Sequence, residues 1–140
     1  MTLLPIVLST VLALLAAAHA WWAMGRIWPA ASEPDLARAV IGDGRLRMPP
    51  PWQCAAVAAA LIVVAAWPWV IVAWPDSPFV LIGSIVVGAV FFLRGAAGYG
   101  PRWRARFKAE PFRTRDFYIY SPLCLALGVA FIALLTREMH

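Results

Sequence analysis

Residues 52–93 read WQCAAVAAALIVVAAWPWVIVAWPDSPFVLIGSIVVGAVFFL. The stretch holds two apolar runs and a single charged residue, Asp76, inside the set Pro75-Asp76-Ser77-Pro78. Those residue types favour a tight turn. A helix needs about 20 apolar residues to cross about 30 Å of hydrocarbon. Trp52 to Trp74 reaches that length, whereas Phe79 to Leu93 falls short of it. The two are expected to form a transmembrane hairpin whose shorter arm is buried by neighbours or thins the bilayer. Pro68 lies inside the longer arm; it removes one backbone donor and its ring meets the Val64 carbonyl, so a kink is expected. Trp67, Trp69 and Trp74 gather at one end, as an interfacial belt does.

Outward from this hairpin, Leu3 to Trp22 forms another apolar run whose only ionisable residue is His19. Ala18-His19-Ala20 resembles a small-x-small cleavage site, but no Lys or Arg precedes the run, so it reads as a span and not a signal peptide. Ser121-Pro122 reads as a cap followed by proline at a first helical position, opening a fourth run to about Leu135. The spans expected are residues 3–23, 52–74, 79–94 and 120–136. The fold class is all-α: a four-helix transmembrane bundle in one domain, with a long polar first loop and a basic-aromatic third loop. In the first loop, Ser32-Glu33-Pro34-Asp35 carries helix-start signals, which predicts a short surface helix ending near Gly42 or Gly44. In the third, Gly95, Gly98, Gly100 and Pro101 are expected to break the helix.

Composition agrees with a bilayer protein. The chain of 140 residues is 63% hydrophobic and 14% charged, with mean hydropathy +0.76. A soluble domain has about 45–50% apolar and about 25% charged residues, and so short a chain leaves much of its surface in water. The net charge of +5 sits between the apolar runs. Basic residues interleaved with Trp103, Phe107, Phe112, Phe117 and Tyr118 can bind single-stranded nucleic acid. Beside two spans they read instead as contact with anionic lipid. Membrane lipids are the partners expected, with other membrane proteins or a second copy next and nucleic acid excluded.

The two long loops carry eleven of the twelve Lys and Arg residues; the remaining one is Arg137 in the C-terminal tail. By the positive-inside rule the long loops are cytoplasmic and both termini outside. Cys54 and Cys124 then lie toward the reducing side and are expected to be free, with no disulfide. His140 is a tail residue.

His19-Ala20-Trp21-Trp22-Ala23-Met24-Gly25 resembles the His-x-aromatic-Trp-Ala-x-Gly segment of a bacterial membrane family, domain of unknown function 3995. Phe92-Leu93-Arg94-Gly95 and Asp116-Phe117-Tyr118-Ile119-Tyr120-Ser121-Pro122-Leu123-Cys124-Leu125 are similar to that family too. The resemblance covers nearly the whole chain. It implies a four-helix membrane protein and supplies no activity. Where the family carries Gly-Asp-Phe after the third span, this chain has Ala97-Gly98-Tyr99, so that acidic residue is missing.

Ionisable residues at membrane depth are the first places to look for function. Ala16, Ala20 and Ala23 share the helical side of His19, which points it toward neighbouring helices. Its commonest use there is a hydrogen bond across helices. Arg94 and Asp116 bracket the third loop, so Arg94 can pair with Asp116, meet lipid phosphate or snorkel at its helix end. Trp22 follows His19 on one side of its helix, and Tyr120 opens the fourth span. His19, Trp22, Arg94, Asp116 and Tyr120 are the candidate polar pocket. Ser121, His19 and Asp116 can be written as a Ser-His-Asp set, but nothing marks a nucleophile elbow. One His and two distant Cys do not make a metal site, and no cofactor is expected.

Three readings of function follow. The first is a structural or interaction component of the bacterial inner membrane. The second is a binding or enzymatic site for a lipid or small lipophile at the cytoplasmic helix ends. The third is a small oligomeric transporter, for which only the uncharged Pro68 kink offers a midplane feature.

Overall fold

A computed structural model describes residues 3–139; His140 lies outside them. Helix α1 spans Leu3–Ala23, α2 Glu33–Val40, α3 Pro51–Ala73, α4 Pro78–Ala97, α5 Pro101–Arg106, α6 Phe112–Arg115 and α7 Ser121–Glu138, with a π-helical turn at Asp116–Tyr120 between the last two. No strand occurs among the described residues. Proline stands in the first turn of α2, α3, α4 and α5, where its missing N–H costs nothing. Helix α2 starts as its residue types require: Ser32 Oγ accepts from the Asp35 amide at 3.3 Å and donates to the Asp35 carboxylate at 2.6 Å. It stops before Gly42, which has a φ of +77°, a conformation that glycine adopts without penalty.

Four helical stretches are long and apolar enough to cross a membrane: Leu3–Ala23, Pro51–Ala73, Pro78–Ala97 and Phe112–Glu138. Their outward faces carry Leu14, Ile62 and Val90, each at least 60% exposed. Water would penalise such a surface, while hydrocarbon solvates it. The protein is membrane-embedded.

Three expectations about the spans are corrected. The third is not short: α4 continues through Gly95 to Ala97, and its 20 residues extend about 30 Å, a full hydrocarbon thickness. Gly95 does not end it but lets it approach α7; the expected break comes at Gly98, which caps the helix after Ala97. A Cβ on Gly95 would lie 2.7 Å from the Ser121 carbonyl and from the Leu125 amide nitrogen. The fourth span does not open at a Ser121 cap. Its helix already runs from Phe112, Ser121 is helical at φ −67° and ψ −46°, and its hydroxyl donates to Asp116.

The long helices pack as two pairs, α1 along α3 and α4 along α7, joined by sparser contacts of α7 with α1 and α3 and of α3 with α4. Leu8, Leu12, Ile71, Val80, Leu127, Phe131, Leu134 and Leu135 form the core. These positions place it in the half of the membrane nearer the Asp76 turn. Polar side chains fasten the pairs from inside. Ser9 donates to the Ala65 carbonyl at 2.7 Å, next to the Val64 carbonyl that loses its helical donor to Pro68. Trp67 does more than mark an interface: its Nε1 donates to Ser84 Oγ at 3.0 Å, and Ser84 donates on to the Val80 carbonyl at 2.7 Å. Between α4 and α7 the backbones nearly touch. A Cβ on Gly128 would sit 2.8 Å from both the Gly88 carbonyl oxygen and the Phe92 amide nitrogen. Neither atom is on a flexible side chain, so the helices themselves would have to separate.

Gly128→Ala is therefore expected to destabilise the protein by about 1–3 kcal/mol through overpacking. Ala59→Leu on the exposed face of α3 should stay within about 0.5 kcal/mol. Thermal unfolding of the two variants in one mild detergent, followed by helical circular dichroism, compares them directly. Equal melting points would refute the close crossing.

Candidate functional site

The two long loops meet at one end of the helices. The Ala109 amide donates to the Gly42 carbonyl at 3.0 Å, and Tyr120 Oη donates to the Ala39 carbonyl at 3.0 Å. Phe112 is buried and packs so closely on Gly42 that any Cβ there would enter its ring. Beside this joint, Arg45 holds Asp43 at 2.6 Å. The hydrogen bond from Arg45 keeps the Asp43 carboxyl below its ordinary value.

Above the α4–α7 pair sits one buried carboxylate, Asp116, at 2% exposure. Arg94 Nη2 reaches its Oδ1 at 2.7 Å, Ser121 Oγ donates to the same oxygen at 3.2 Å, and Trp103 Nε1 donates to Oδ2 at 2.9 Å. The Arg94 guanidinium also lies 4.3 Å from the centre of the Trp103 ring and donates to Ser121 Oγ at 3.4 Å. Burial makes a lone carboxylate costly, and here ion pairing and hydrogen bonds offset that cost. Gly98 completes the enclosure: a Cβ on it would fall onto Ser121 Oγ and within 2.9 Å of Asp116 Oδ2. Both oxygens are occupied by protein donors, so the cluster acts as a structural lock.

The π-helical turn runs directly into Ser121-Pro122. The Ser121 amide donates five residues back, to the Asp116 carbonyl. The Phe117 carbonyl would next receive the residue 122 donor, which proline lacks. Tyr99 Oη supplies it instead, at 3.0 Å. A π turn at this position also turns Asp116 toward α4; such turns are frequent at functional sites.

Three cavities surround Trp22. A cleft of about 480 Å³ opens between the two loops, lined by Trp22, Asp35, Arg38, Glu110, Arg115 and Tyr120 together with apolar residues of α2 and Pro29. A second cavity of about 480 Å³ is an apolar groove along α1, lined by Leu14, Ala17, Ala18, Trp21, Trp22 and Trp28. A third of about 190 Å³ is lined by His19, Trp22, Met48, Gln53 and Cys54 among others. Trp22 is held at their meeting point by its Nε1, which donates to the Trp28 carbonyl at 3.0 Å.

The five residues singled out from the sequence thus fall into three groups. Trp22 and Tyr120 share the interloop cleft. Arg94 and Asp116 pair with each other in the lock and do not line that cleft. His19 is half-buried beside Trp22, their ring centroids 5.1 Å apart. Its hydrogen bond is not the cross-helix one expected: Nδ1 donates to the Leu15 carbonyl of its own helix at 2.8 Å. That carbonyl is one turn back and always in reach, so it outcompetes a distant partner. Ser121 and Asp116 do contact each other, but with Arg94 and not His19 as the third member. Sequence reasoning missed Trp103 as an Asp116 partner and Arg38 and Arg115 as cleft residues; the available signal was only their presence in the two long loops.

Cys54 and Cys124 are free thiols. No group of three His, Cys, Asp or Glu side chains is placed to hold a metal among the described residues.

A family model described as "Protein of unknown function (DUF3995)" matches residues 12–131. No curated protein matches the chain, and no solved structure does.

Asp116→Asn is expected to cost about 2–4 kcal/mol, below the range for a fully buried pair because Arg94 is partly solvated. Combining it with Arg94→Met should cost clearly less than the sum of the two single changes, since the half-buried cation is removed along with its partner. Unfolding of the single and double variants in detergent measures the coupling; strictly additive losses would contradict the lock.

Proposed function

The chain belongs to the DUF3995 family of proteins of unknown function, and on that footing we propose that it binds a membrane amphiphile at its loop end. One observation carries this reading: a cleft with charged walls and an apolar groove meet at Trp22. Binding sites are typically concave and mostly apolar, with a few polar groups that fix orientation. An amphiphile has the same division, a polar head and an apolar tail. The cleft walls come from separate loops tied together by Tyr120 and Gly42. The reading of a structural or interaction component needs no such cavity, and transport needs polar groups near the midplane. No cofactor enters this reading, and nucleic acid is no partner in it.

The same proposal includes an orientation in the bacterial inner membrane. The loops that form the cleft hold eleven of the twelve Lys and Arg residues, which supports cytoplasmic loops with both termini outside. The amphiphile is then taken from, or presented to, the cytoplasmic leaflet. Cys54 and Cys124 face reducing surroundings in this orientation.

Purification in mild detergent followed by mass spectrometry is expected to find a stoichiometric amphiphile on the protein. Trp22→Ala, which removes the wall between groove and cleft, should release it. A wild-type protein that retains nothing would return the case to an interaction component. For orientation, reporter fusions at Asp76 and at the C-terminal end should both register outside the cytoplasm. A cytoplasmic signal from both would invert the proposed topology.

A further inference from the structure

The charges of the interloop cleft specify more than an amphiphile. It is lined by two arginines, Arg38 and Arg115, and two acidic residues, Asp35 and Glu110, all four exposed. Among the described residues none of these four forms an ion pair. Each carboxylate uses one oxygen locally: Asp35 Oδ2 accepts from Ser32 Oγ at 2.6 Å, and Glu110 Oε2 accepts from the Thr114 amide at 3.2 Å. The other oxygen of each has no protein hydrogen bond. The cleft thus offers two cations and two anions with spare capacity, on walls held in register by the Tyr120–Ala39 hydrogen bond.

Resting on the amphiphile-binding reading above, we propose that the occupant is a phospholipid with a phosphoethanolamine-type headgroup. A guanidinium presents a planar fork of donors that matches phosphate oxygens. A primary ammonium supplies three donors, which suit the spare carboxylate oxygens of Asp35 and Glu110. A purely anionic headgroup would satisfy the arginines and leave two carboxylates facing negative charge. A quaternary ammonium would balance charge but offer those oxygens no N–H. The apolar groove supplies the tail site. From Trp22 back to Leu14 it descends α1 by eight residues, roughly 12 Å at the helical rise, toward the bilayer interior. Trp21 and Trp28 flank it, as aromatic rings do where chains meet headgroups.

The test loads the purified, delipidated full chain with one phospholipid at a time, matched in acyl chains, and reads retention by native mass spectrometry. Phosphatidylethanolamine should be retained about tenfold more than phosphatidylglycerol or phosphatidylcholine, the scale of one or two charge-assisted contacts. Glu110→Gln keeps the acceptor for the Thr114 amide, so the fold is preserved; it should lower phosphatidylethanolamine retention to the phosphatidylglycerol level. Arg115→Gln should reduce retention of both. Soluble glycerophosphoethanolamine should compete poorly because it leaves the groove empty. Equal or better retention of phosphatidylglycerol by the wild-type protein would overturn the headgroup assignment while leaving amphiphile binding intact. Full competition by glycerophosphoethanolamine would overturn the tail site. Retention of every phospholipid no better than in Trp22→Ala would overturn amphiphile binding itself.

Discussion

A carboxylate buried where the helices leave the bilayer needs its donors brought to it, and the loop end is arranged around that need. Asp116 draws Arg94 from the end of α4, Trp103 from α5 and Ser121 from the start of α7. Three segments that share no continuous hydrogen-bond ladder are thereby set at fixed distances. Leaving any one donor out strands polar atoms at low dielectric, where an unpaired group is most costly. The demand reaches the backbone as well: only a residue without a side chain fits at Gly98.

From that lock the third loop inherits its course. The same chain that supplies Trp103 continues to Phe112, which is seated on Gly42, and to Tyr120, which is bound to Ala39. The first loop is therefore held against the third by contacts whose position the lock determines. The cleft is the space left between them. A ligand there would contact residues of both loops, so its occupancy couples to how firmly the loops are joined. Deeper in the membrane the logic differs. Hydrocarbon gives helices no hydrophobic reason to associate, and small residues with a few hydrogen bonds do that work. Gly88 with Gly128, Ser9 with Ala65 and Trp67 with Ser84 are such contacts.

Much of this was legible in the order of residues. Run lengths between prolines and charges identify four spans, because the thickness of hydrocarbon sets a minimum helix length. Ser32, Glu33 and Pro34 start α2 through interactions within one turn, and Gly42 ends it. The meeting of Arg94 with Asp116 could be anticipated because both flank one loop at one membrane edge. The errors share a cause. Gly95 carries the same local signal whether it ends a helix or admits a neighbour, and only the neighbour distinguishes the two. Ser121 before Pro122 looks like a cap until Asp116 claims its hydroxyl.

By itself, then, the sequence determined an all-helical, membrane-embedded chain, its turn at Asp76 and the concentration of cationic charge in two loops. These follow from local propensity and from transfer of side chains between water and hydrocarbon, which act residue by residue. The tertiary structure alone decided which helices pair, that Arg94 and Asp116 close a lock apart from Trp22 and Tyr120, and that Arg38 and Arg115 line a common cleft. Each of these depends on atoms tens of residues apart reaching hydrogen-bonding or van der Waals distance. Such distances are set by the packing of whole helices and are not encoded in any local pattern.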